Sequence, residues 1–484
     1  MHVFFSGIGG AGIGPLALVA KQAGYEVSGS DANDSSYLKY LARQGITDIH
    51  VGQSAEKLAE VHAKKPIDWF VYSSALPKTD PSHPELAYVT ENGIRASKRG
   101  EFLNEILADK KLKLVAVAGT HGKTTTTAMA IWLFKQLGVP VSYSVGAKIS
   151  FGDVGHYEPG SEYFVYEADE YDRNFLAFRP YISLITGIDW DHPDIYPSRE
   201  EYFQAFVGFV SQSERVVVWH DDAGKLQLEP TKNWLILNEN DPKINENLKL
   251  AGLVNRQDAW LAAKSMHGIV NKPTDVLVGI LNKFPGLSRR WEQIAPGIYT
   301  DYAHTPGKIR GALQLAHEVI AKNPQVTHLD APQGAGEQRT EPYRQYGEGA
   351  AQSATQRSAE SASGVGGSAD KSASTVRGLV VVYEGLHNLR QHFIKDELKN
   401  LFDDVKQLYI VPSYLAREDP KLPTLSPEAL KALLSDQAQA HTSGAALDEN
   451  LQEKIKQHVS QGDTVLCLSA GGAGSLDEWL RRKF

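Results

Sequence analysis

The chain has 484 residues, which is too long for one hydrophobic core and indicates about three domains. Hydrophobic residues make up 42% and charged residues 22% of the composition, as is typical of a soluble globular protein. The net charge of −8 argues against a broad nucleic-acid-binding surface. No apolar run reaches the roughly 18 to 20 residues of a membrane span, and the first apolar segment is too short for a signal peptide. The single cysteine, Cys467, excludes an intrachain disulfide and favours the reducing cytoplasm.

Strand and helix patterns alternate along most of the chain. The predicted strands are short apolar segments at residues 3–6, 26–30, 68–73, 112–118, 163–167, 182–186, 215–219, 378–383, 407–411 and 464–468. Helices are predicted at 13–23 and 124–137. Strands that alternate with helices predict parallel sheets with right-handed crossovers. We therefore predict an α/β fold of three domains, at residues 1–110, 111–286 and 287–484.

One segment breaks this alternation. Residues 331–374 are rich in Gly, Ser, Ala, Gln and Glu and contain almost no large aliphatic side chains. Such a composition buries too little apolar surface to offset the entropy of ordering the chain. It predicts a disordered insertion within the third domain.

The strongest motif is Gly119-Thr120-His121-Gly122-Lys123-Thr124-Thr125, which follows a predicted buried strand and precedes a predicted helix. Glycines allow backbone N–H groups to surround phosphate oxygens, and the helix N-terminus adds a favourable dipole. Lys123 would contact the β- and γ-phosphates, and the Thr124 hydroxyl would bind Mg²⁺. The motif is half of a standard P-loop, because Val117 stands where that pattern has its first glycine.

Two acidic clusters follow the next strands. Glu167-Ala168-Asp169-Glu170-Tyr171-Asp172 comes after the strand at 163–167, and Asp189-Trp190-Asp191-His192-Pro193-Asp194 comes after the strand at 182–186. Hard cations prefer oxygen ligands, and the ends of parallel strands open onto the ligand crevice. Each cluster alone is more typical of a solvated loop. Together with the glycine loop they predict a shared ATP and metal site.

A second glycine loop lies near the start of the chain. Gly7-Ile8-Gly9-Gly10-Ala11-Gly12 contains the G-x-G-x-x-G pattern, and Asp31 lies at the offset expected of a ribose-binding acid. The simplest interpretation of this loop is dinucleotide binding. An NAD(P)-dependent oxidoreductase is therefore one alternative, although it leaves the other loop and the acidic clusters without a purpose.

These motifs together resemble the Mur ligases, a family of ATP-dependent, amide-forming ligases, over nearly the whole chain outside 331–374. The resemblance implies a Rossmann-like UDP-sugar-binding first domain, a P-loop-type ATPase central domain and a Rossmann-like acceptor-binding third domain. The implied UDP-sugar contacts are Gly9, Gly10, Ala11, Gly12, Ser30, Asp31, Ser73 and Ser74. The implied ATP contacts in the central loop are Gly119, Thr120, His121, Gly122, Lys123, Thr124 and Thr125. The implied ligands of two Mg²⁺ ions are Thr124, Glu167 and His192.

The resemblance continues into the third domain. Asn255, in Leu253-Val254-Asn255-Arg256-Gln257-Asp258-Ala259, matches an adenine-contacting amide. Arg290, in Ser288-Arg289-Arg290-Trp291-Glu292, matches an arginine that reaches the ATP phosphates. In Asp301-Tyr302-Ala303-His304-Thr305-Pro306, the resemblance implies Asp301 at the ribose and His304 near the nucleotide, and Arg390 is implied on the acceptor side. The implied catalytic residues are Lys123, Glu167, His192, Arg290 and His304.

Several positions depart from the pattern of the alanine-adding branch. Val254 and Asp258 replace the usual His and Asn, and Thr305 replaces a second His. Leu386 and His387 replace an acceptor-side His and Arg. No lysine lies between residues 167 and 192, which favours the alanine-adding branch, the one that lacks a carbamylated lysine.

The resemblance implies a cytoplasmic enzyme of peptidoglycan precursor synthesis, monomeric or homodimeric. It would join L-alanine to the lactyl carboxylate of UDP-N-acetylmuramate through an acyl phosphate, with ATP and Mg²⁺. The alternative within the family is a recycling ligase that attaches the stem tripeptide to the same sugar. A non-catalytic nucleotide-binding regulator is an alternative from another class of protein. Under each of these hypotheses we expect neither nucleic-acid binding nor membrane insertion.

Overall fold

A computed structural model describes residues 1–73, 76–322, 378–386, 388–415, 421–471 and 474–484. Within these ranges the strands form three sheets of five, seven and six strands, which follow one another along the chain. The predicted α/β fold with three sheet-based units is confirmed. The predicted insertion at 331–374 and two residues named above, Ser74 and His387, lie outside the described residues.

The first sheet is entirely parallel and carries helices between its strands. Its elements are β1 (His2–Ser6), α1 (Gly14–Gln22), β2 (Glu26–Asp31), α2 (Ser36–Arg43), β3 (Asp48–Val51), α3 (Ala55–Lys64), β4 (Trp69–Tyr72), α4 (Leu76–Thr79), α5 (Pro84–Glu91), β5 (Ala96–Lys98) and α6 (Arg99–Asp109). The strand order is β3-β2-β1-β4-β5, so the winding reverses between β1 and β4. Sheets of this kind bind ligands beside the carboxyl ends of the strands at such a reversal, which is where the first glycine loop lies.

The central sheet is parallel except for its edge strand β8. Its elements are β6 (Lys113–Ala118), α7 (Lys123–Gln136), β7 (Ser142–Ser144), β8 (Gly155–His156), β9 (Tyr163–Glu167), β10 (Ile182–Ile185), α8 (Arg199–Ser211), β11 (Val216–Trp219), α9 (His220–Leu226), β12 (Trp234–Leu237), α10 (Pro242–Asn247), α11 (Leu253–Val270) and α12 (Thr274–Leu281). The strand order is β12-β11-β10-β6-β9-β7-β8. Strand β6 therefore lies between β9 and β10, and the three predicted site loops leave neighbouring strands at one edge.

The third sheet is parallel apart from β13, which pairs antiparallel with β14. Its elements are β13 (Glu292–Ala295), β14 (Ile298–Asp301), α13 (Pro306–Lys322), β15 (Leu379–Leu386), α14 (Asn388–Ile394), β16 (Gln407–Tyr414), α15 (Pro427–Ala432), α16 (Asp436–Ala440), β17 (Thr442–Gly444), α17 (Glu449–Ser460), β18 (Thr464–Leu468) and α18 (Leu476–Lys483). The strand order is β13-β14-β18-β15-β16-β17. The ends of β14 and β15 bring Asp301 and Arg390 to the side that faces the central sheet.

One continuous hydrophobic core joins the first two sheets. Phe102 of α6 is fully buried, and its cluster extends to Tyr166 of β9 and Phe206 of α8. At Gly155 of β8 a Cβ atom would lie 2.2 Å from the carbonyl oxygen of Pro15, so α1 packs directly on the central sheet. The third sheet has separate apolar clusters on its two faces. The first two units are therefore packed as one body, and the third meets them through other contacts.

Helix α11 is the longest helix of the described residues, with 18 residues, and it packs against α7 and α12. Its buried positions include Ala259, Leu261, Ala262 and Met266, which form one side of the central core. Within the described ranges, no helix combines the length and the apolarity needed to cross a membrane.

Phe102 is the centre of an aromatic cluster, with ring centroids 5.5 Å from Phe5, 5.7 Å from Tyr25 and 5.2 Å from Trp69. We expect Phe102→Ala to lower the free energy of unfolding by about 3–5 kcal/mol, because the cavity cannot close around four rigid elements. Urea unfolding followed by intrinsic fluorescence measures this loss. The control is Val51→Ala, at a side chain that is 55% exposed, and it should leave the unfolding curve unchanged. Equal midpoints for the two variants would contradict the shared core.

Candidate functional site

The loop between β6 and α7 requires its two glycines. Gly119 has a φ of +142° and Gly122 a φ of +74°, both in the left-handed region. A Cβ atom at Gly119 would lie 2.3 Å from the Thr186 hydroxyl oxygen, and one at Gly122 would lie 2.4 Å from a carboxyl oxygen of Asp258. Helix α7 then begins at Lys123. The backbone is thus shaped as a phosphate-binding loop at a helix N-terminus.

Two side chains of this loop hold it to the loop after β10. The Thr120 hydroxyl donates to the Asp189 carbonyl at 2.6 Å, and the Asp189 N–H donates back to the same hydroxyl at 2.9 Å. His121 Nε2 lies 3.1 Å from Asp189 Oδ2, and burial lowers the pKa of His121 despite that carboxylate. Thr120 therefore has a structural function in addition to the ATP contact predicted for it.

Lys123 and His192 meet at one buried carboxylate. Lys123 Nζ lies 2.8 Å from Glu170 Oε2, and His192 Nε2 lies 3.5 Å from Glu170 Oε1. The Glu170 side chain is only 1% exposed. Burial disfavours its charge, but the charge of Lys123 and the hydrogen bonds of His192 and Lys123 outweigh burial and hold the pKa of Glu170 well below its usual range. In this structure Lys123 is thus an ion-paired lysine.

Thr124 and Glu167, which are predicted from the sequence to bind a cation, are in direct contact. The Thr124 hydroxyl donates to Glu167 Oε1 at 2.8 Å, and the Gly146 N–H donates to Glu167 Oε2 at 2.8 Å. His192 has a φ of +56° and stacks edge-on against Tyr171. The Thr124 hydroxyl and the Glu167 carboxylate are oxygen donors of the kind that Mg²⁺ with bound water prefers.

Another group of three side chains that could hold a metal ion lies away from Thr124, Glu167 and His192. Among the described residues, His220, Asp221 and Glu239 place their ligand atoms within 4.8 Å of one another. His220 and Asp221 are exposed, and the group lies at the rim of the site, away from Glu167. Exposed carboxylates of this kind are common without an ion.

Arg390, which was predicted to bind substrate, lies in the site and is ion-paired with a carboxylate there. Its Nη2 forms an ion pair and hydrogen bond with Asp191 Oδ1, across 199 residues of sequence. Burial raises the pKa of the Asp191 carboxyl, but Arg390, His192 and Lys308 together hold it far below its usual range. Asp191 also accepts the His192 N–H at 2.7 Å. A substrate that contacts Arg390 must share it with this carboxylate.

The third unit supplies His304 and Asp301. His304 Nδ1–H donates to the Tyr302 carbonyl at 2.8 Å, which leaves Nε2 as the nitrogen with a free lone pair. Burial, and next the charge of Lys308, lower the pKa of His304 well below its usual value. Asp301 Oδ2 accepts the Trp291 N–H at 2.8 Å. Asp301 thereby fixes the linker that carries Arg290.

Two cavities meet at these residues. The smaller one, of about 350 Å³, is called here the nucleotide cavity, and its walls include His121, Thr125, Asn255, Trp291 and Asp301. The larger one, of about 720 Å³, is called the transfer cavity, and its walls include Thr120, Glu167, His192, His304 and Arg390. Gly122, Thr124, Arg290 and Lys308 line both cavities. A molecule with one end in each cavity must pass these four residues.

The first glycine loop contributes its last two residues to the transfer cavity. Ala11 and Gly12 lie in its wall beside Arg99, and a Cβ atom at Gly12 would collide with the Arg99 guanidinium. The other predicted contacts, Gly9, Gly10, Ser30, Asp31 and Ser73, line neither of the two cavities. Asp31 Oδ2 instead accepts the Gly9 N–H at 2.8 Å, so it orders the loop.

Asp258 shows how one departure from the family pattern is accommodated. It is buried beneath Gly122, and desolvation raises the pKa of its carboxyl to about 8, against the smaller opposing effects of Thr126 and Arg290. A neutral carboxylic acid, like an asparagine amide, can both donate and accept a hydrogen bond, whereas an ionised carboxylate can only accept. Asn255 lies on the same helix in the cavity wall, and its Nδ2 donates to the Ala251 carbonyl at 2.8 Å.

Several charged residues of the site were not assigned a role from the sequence, and four of them are Glu170, Arg99, Lys225 and Lys308. Glu170 was inside a predicted acidic cluster, but nothing in that cluster distinguished it from its neighbours. The others lie outside every motif and are brought in by the fold: Arg99, which pairs with Asp169 at 2.9 Å, Lys225, which pairs with Asp222 at 2.8 Å, and Lys308.

Known proteins similar to this chain match it over about half to two thirds of its length. The family model of the Mur ligase catalytic domain matches residues 2–111, and that of the Mur ligase middle domain matches residues 117–249. The chain is 33% identical over 353 residues to the UDP-N-acetylmuramate–L-alanine ligase of Clavibacter sepedonicus, with 66% of this chain and 71% of the relative covered. It is 32% identical to the enzyme of that name from Thermobifida fusca (strain YX), with 66% and 72% covered.

Solved structures of similar fold span the whole chain. The UDP-N-acetylmuramate-alanine ligase of Thermotoga maritima has a TM-score of 0.67 at 21% identity, with 100% of this chain and 98% of that chain covered. A murein peptide ligase from Psychrobacter arcticus 273-4 has a TM-score of 0.59 at 20% identity, with 99% of both chains covered. At these identities the likeness shows the fold.

We expect Glu170→Gln to destabilise the ligand-free protein by about 3–5 kcal/mol, because it leaves the charge of Lys123 buried without its partner. Thermal and urea unfolding in the absence of nucleotide measure the change. Glu162→Gln is the control, since Glu162 pairs with Lys113 at 2.7 Å on the surface of the same unit. That variant should unfold like the wild type. Equal stability of Glu170→Gln and Glu162→Gln would show that Lys123 does not depend on Glu170.

Proposed function

Because the chain belongs to the Mur ligase family, we propose that it is an ATP-dependent ligase that joins L-alanine to the lactyl carboxylate of UDP-N-acetylmuramate. The observation that carries this proposal is the pair of cavities joined at Gly122, Thr124, Arg290 and Lys308. A nucleotide with its base in one cavity and its phosphates at the junction would present the γ-phosphate to the other cavity. The compartment we propose for the reaction is the cytoplasm, in peptidoglycan precursor synthesis.

The nucleotide cavity has the composition that a base and ribose need. Trp219, Val254 and Leu315 give it apolar walls, and Asn255 and Asp301 give it polar groups. The phosphates would then lie on the backbone of residues 119–123 and beneath Arg290, which also faces the Tyr302 ring at 5.0 Å. Few, well-placed polar groups in an apolar cleft are typical of small-molecule sites.

The transfer cavity is large enough for the sugar substrate to meet the phosphate. Ala11, Gly12 and Arg99 are the part of its wall that comes from the first unit, so a UDP diphosphate at the first glycine loop would place the lactyl group in this cavity. Thr124, Glu167 and His192 would hold Mg²⁺, and two ions are expected. Bound there, the ion would neutralise charge on the phosphate and carboxylate oxygens.

The reaction needs positioning and charge neutralisation more than a nucleophilic side chain. A lactyl carboxylate oxygen bonds to the γ-phosphorus, the bond from that phosphorus to the β-phosphate oxygen breaks, and ADP leaves with the electron pair. The amine nitrogen of L-alanine then bonds to the acyl carbon, and the carbon–oxygen bond to phosphate breaks. Lys123 and Arg290 hold the phosphate oxygens in both steps. Arg390 holds the carboxylate of the amino acid.

His304 is our proposed acceptor of the amine proton. Its Nδ1–H is fixed by the Tyr302 carbonyl, so the proton would go to Nε2. Its lowered pKa keeps the ring neutral at physiological pH, which is the form that can accept a proton. His192 is a weaker candidate, because its Nε2 faces Glu170.

The family alternative, a ligase that attaches the stem tripeptide, differs only in the acceptor. We would measure phosphate release with ATP, Mg²⁺ and UDP-N-acetylmuramate across a panel of single amino acids and the tripeptide. Release that requires L-alanine is the expected result. Release with the tripeptide alone would assign the protein to recycling, and no release with any acceptor would overturn the ligase proposal.

We expect Thr124→Ala to lower kcat/KM for ATP by roughly 100-fold, since it removes the hydroxyl that joins the phosphate loop to Glu167. The melting temperature should stay near that of the wild type, because the Thr124 hydroxyl is one side-chain contact at a cavity wall. Thr90→Ala, on the exposed face of α5, is the matched control for loss of a hydroxyl. Full activity of Thr124→Ala would remove Thr124 from the site.

A further inference from the structure

The transfer cavity is crowded with cations, and most of them have a carboxylate partner. Each of the following pairs is an ion pair within 4 Å: Arg99 with Asp169, Lys123 with Glu170, Arg289 with Asp477, and Arg390 with Asp191. Among the described cations of this wall, Arg290 and Lys308 are not in such a pair. These two also line the nucleotide cavity. The junction of the two cavities therefore carries two cations that have no carboxylate within 4 Å among the described residues.

Lys308 comes to this junction from the third unit. It is the third residue of α13, which begins at Pro306, and the helix N-terminus adds its own positive potential there. The preceding residue lets the helix come close, because a Cβ atom at Gly307 would lie 2.8 Å from His121 Nε2. The first turn of α13 thus packs directly on the phosphate loop of the central unit.

We propose that Lys308 binds the γ-phosphate of ATP, so that the phosphate to be transferred is held by one lysine from the central unit and one from the third. This assignment rests on the proposed function for its purpose. No pattern in the sequence suggested a role for Lys308. The proposal depends on its place at the cavity junction and on its lack of a carboxylate partner.

The electrostatics at the junction of the two cavities support an anionic ligand at this point. Burial is the main cause that lowers the pKa of Lys308, to about 7; Asp191 opposes it, and Lys123, Arg390 and Arg290 add to it. Asp191 therefore supplies too little negative charge to compensate this buried cation. The triphosphate would supply that charge, and the γ-phosphate is the group that lies nearest to the transfer cavity.

This position also assigns Lys308 a function during the reaction. As the bond to the β-phosphate oxygen breaks and the bond to the carboxylate oxygen forms, the three equatorial oxygens keep their negative charge. A cation beside them is useful throughout the transfer. Because Lys308 belongs to the third unit, the charge is complete only when that unit rests on the phosphate loop.

The test compares binding of ADP with binding of the β,γ-imido analogue of ATP, both with Mg²⁺, by isothermal titration calorimetry. Lys308→Met should raise the Kd of the analogue roughly tenfold, as expected for loss of one charged hydrogen bond, and should leave the Kd of ADP within twofold. Lys308→Arg should recover most of the affinity. Arg310→Met is the control, on the exposed side of the same helix.

A merely structural role would give another pattern. Equal weakening of ADP and analogue, or a lower melting temperature for Lys308→Met, would overturn the assignment, as would unchanged binding of both. If the wild type releases no phosphate with any acceptor but Lys308→Met still loses affinity for the analogue alone, the assignment stands and the ligase proposal fails. If the wild type turns over and Lys308→Met matches it in both Kd values, only the assignment fails.

Discussion

The site depends on one carboxylate that is almost completely removed from water. A buried, ionised glutamate is stable only if cations surround it, and Glu170 has Lys123 on one oxygen and His192 near the other. The Tyr196 hydroxyl donates to the backbone carbonyl of Glu170 at 2.5 Å, and this hydrogen bond joins the loop after β10 to the loop after β9. Contacts within the protein thus set the phosphate loop and both acidic loops relative to one another.

The parts of this arrangement that were predictable have a local cause. The residues at 119–125 follow a strand and begin a helix, and only glycine tolerates the backbone angles and close contacts at Gly119 and Gly122. Parallel strands direct their carboxyl ends to one edge, so Glu167 and His192 could be placed near that loop without knowledge of the packing. Strands β9 and β18 were predicted with the bounds that the structure shows, because a central parallel strand is apolar on both faces.

Other parts depend on contacts between distant segments. Strands β14 and β17 were not predicted, because they contain polar residues and lack the continuous apolar pattern that identified the equally short strands β10 and β11. The pairing of Arg390 with Asp191 and of Arg99 with Asp169 joins units that are far apart in sequence, and only the folded geometry reveals it. The hydrogen bond from the Gly9 N–H to the Asp31 carboxylate was likewise not predicted, and the ligand contact predicted for Asp31 stays a prediction.

The shared core of the first two units fixes the distance between the first glycine loop and the phosphate loop. Phe102 and Tyr166 belong to one packed cluster, and α1 presses on the central sheet at Gly155, so Gly12 and Thr124 are held at a set separation across the transfer cavity. Packed interiors resist deformation, so we expect this separation to change little when a substrate binds. Under the proposed function, a substrate whose UDP group binds at the first glycine loop is therefore selected by its length. Its carboxylate meets the γ-phosphate only if the distance from the UDP group to that carboxylate matches the separation of Gly12 and Thr124.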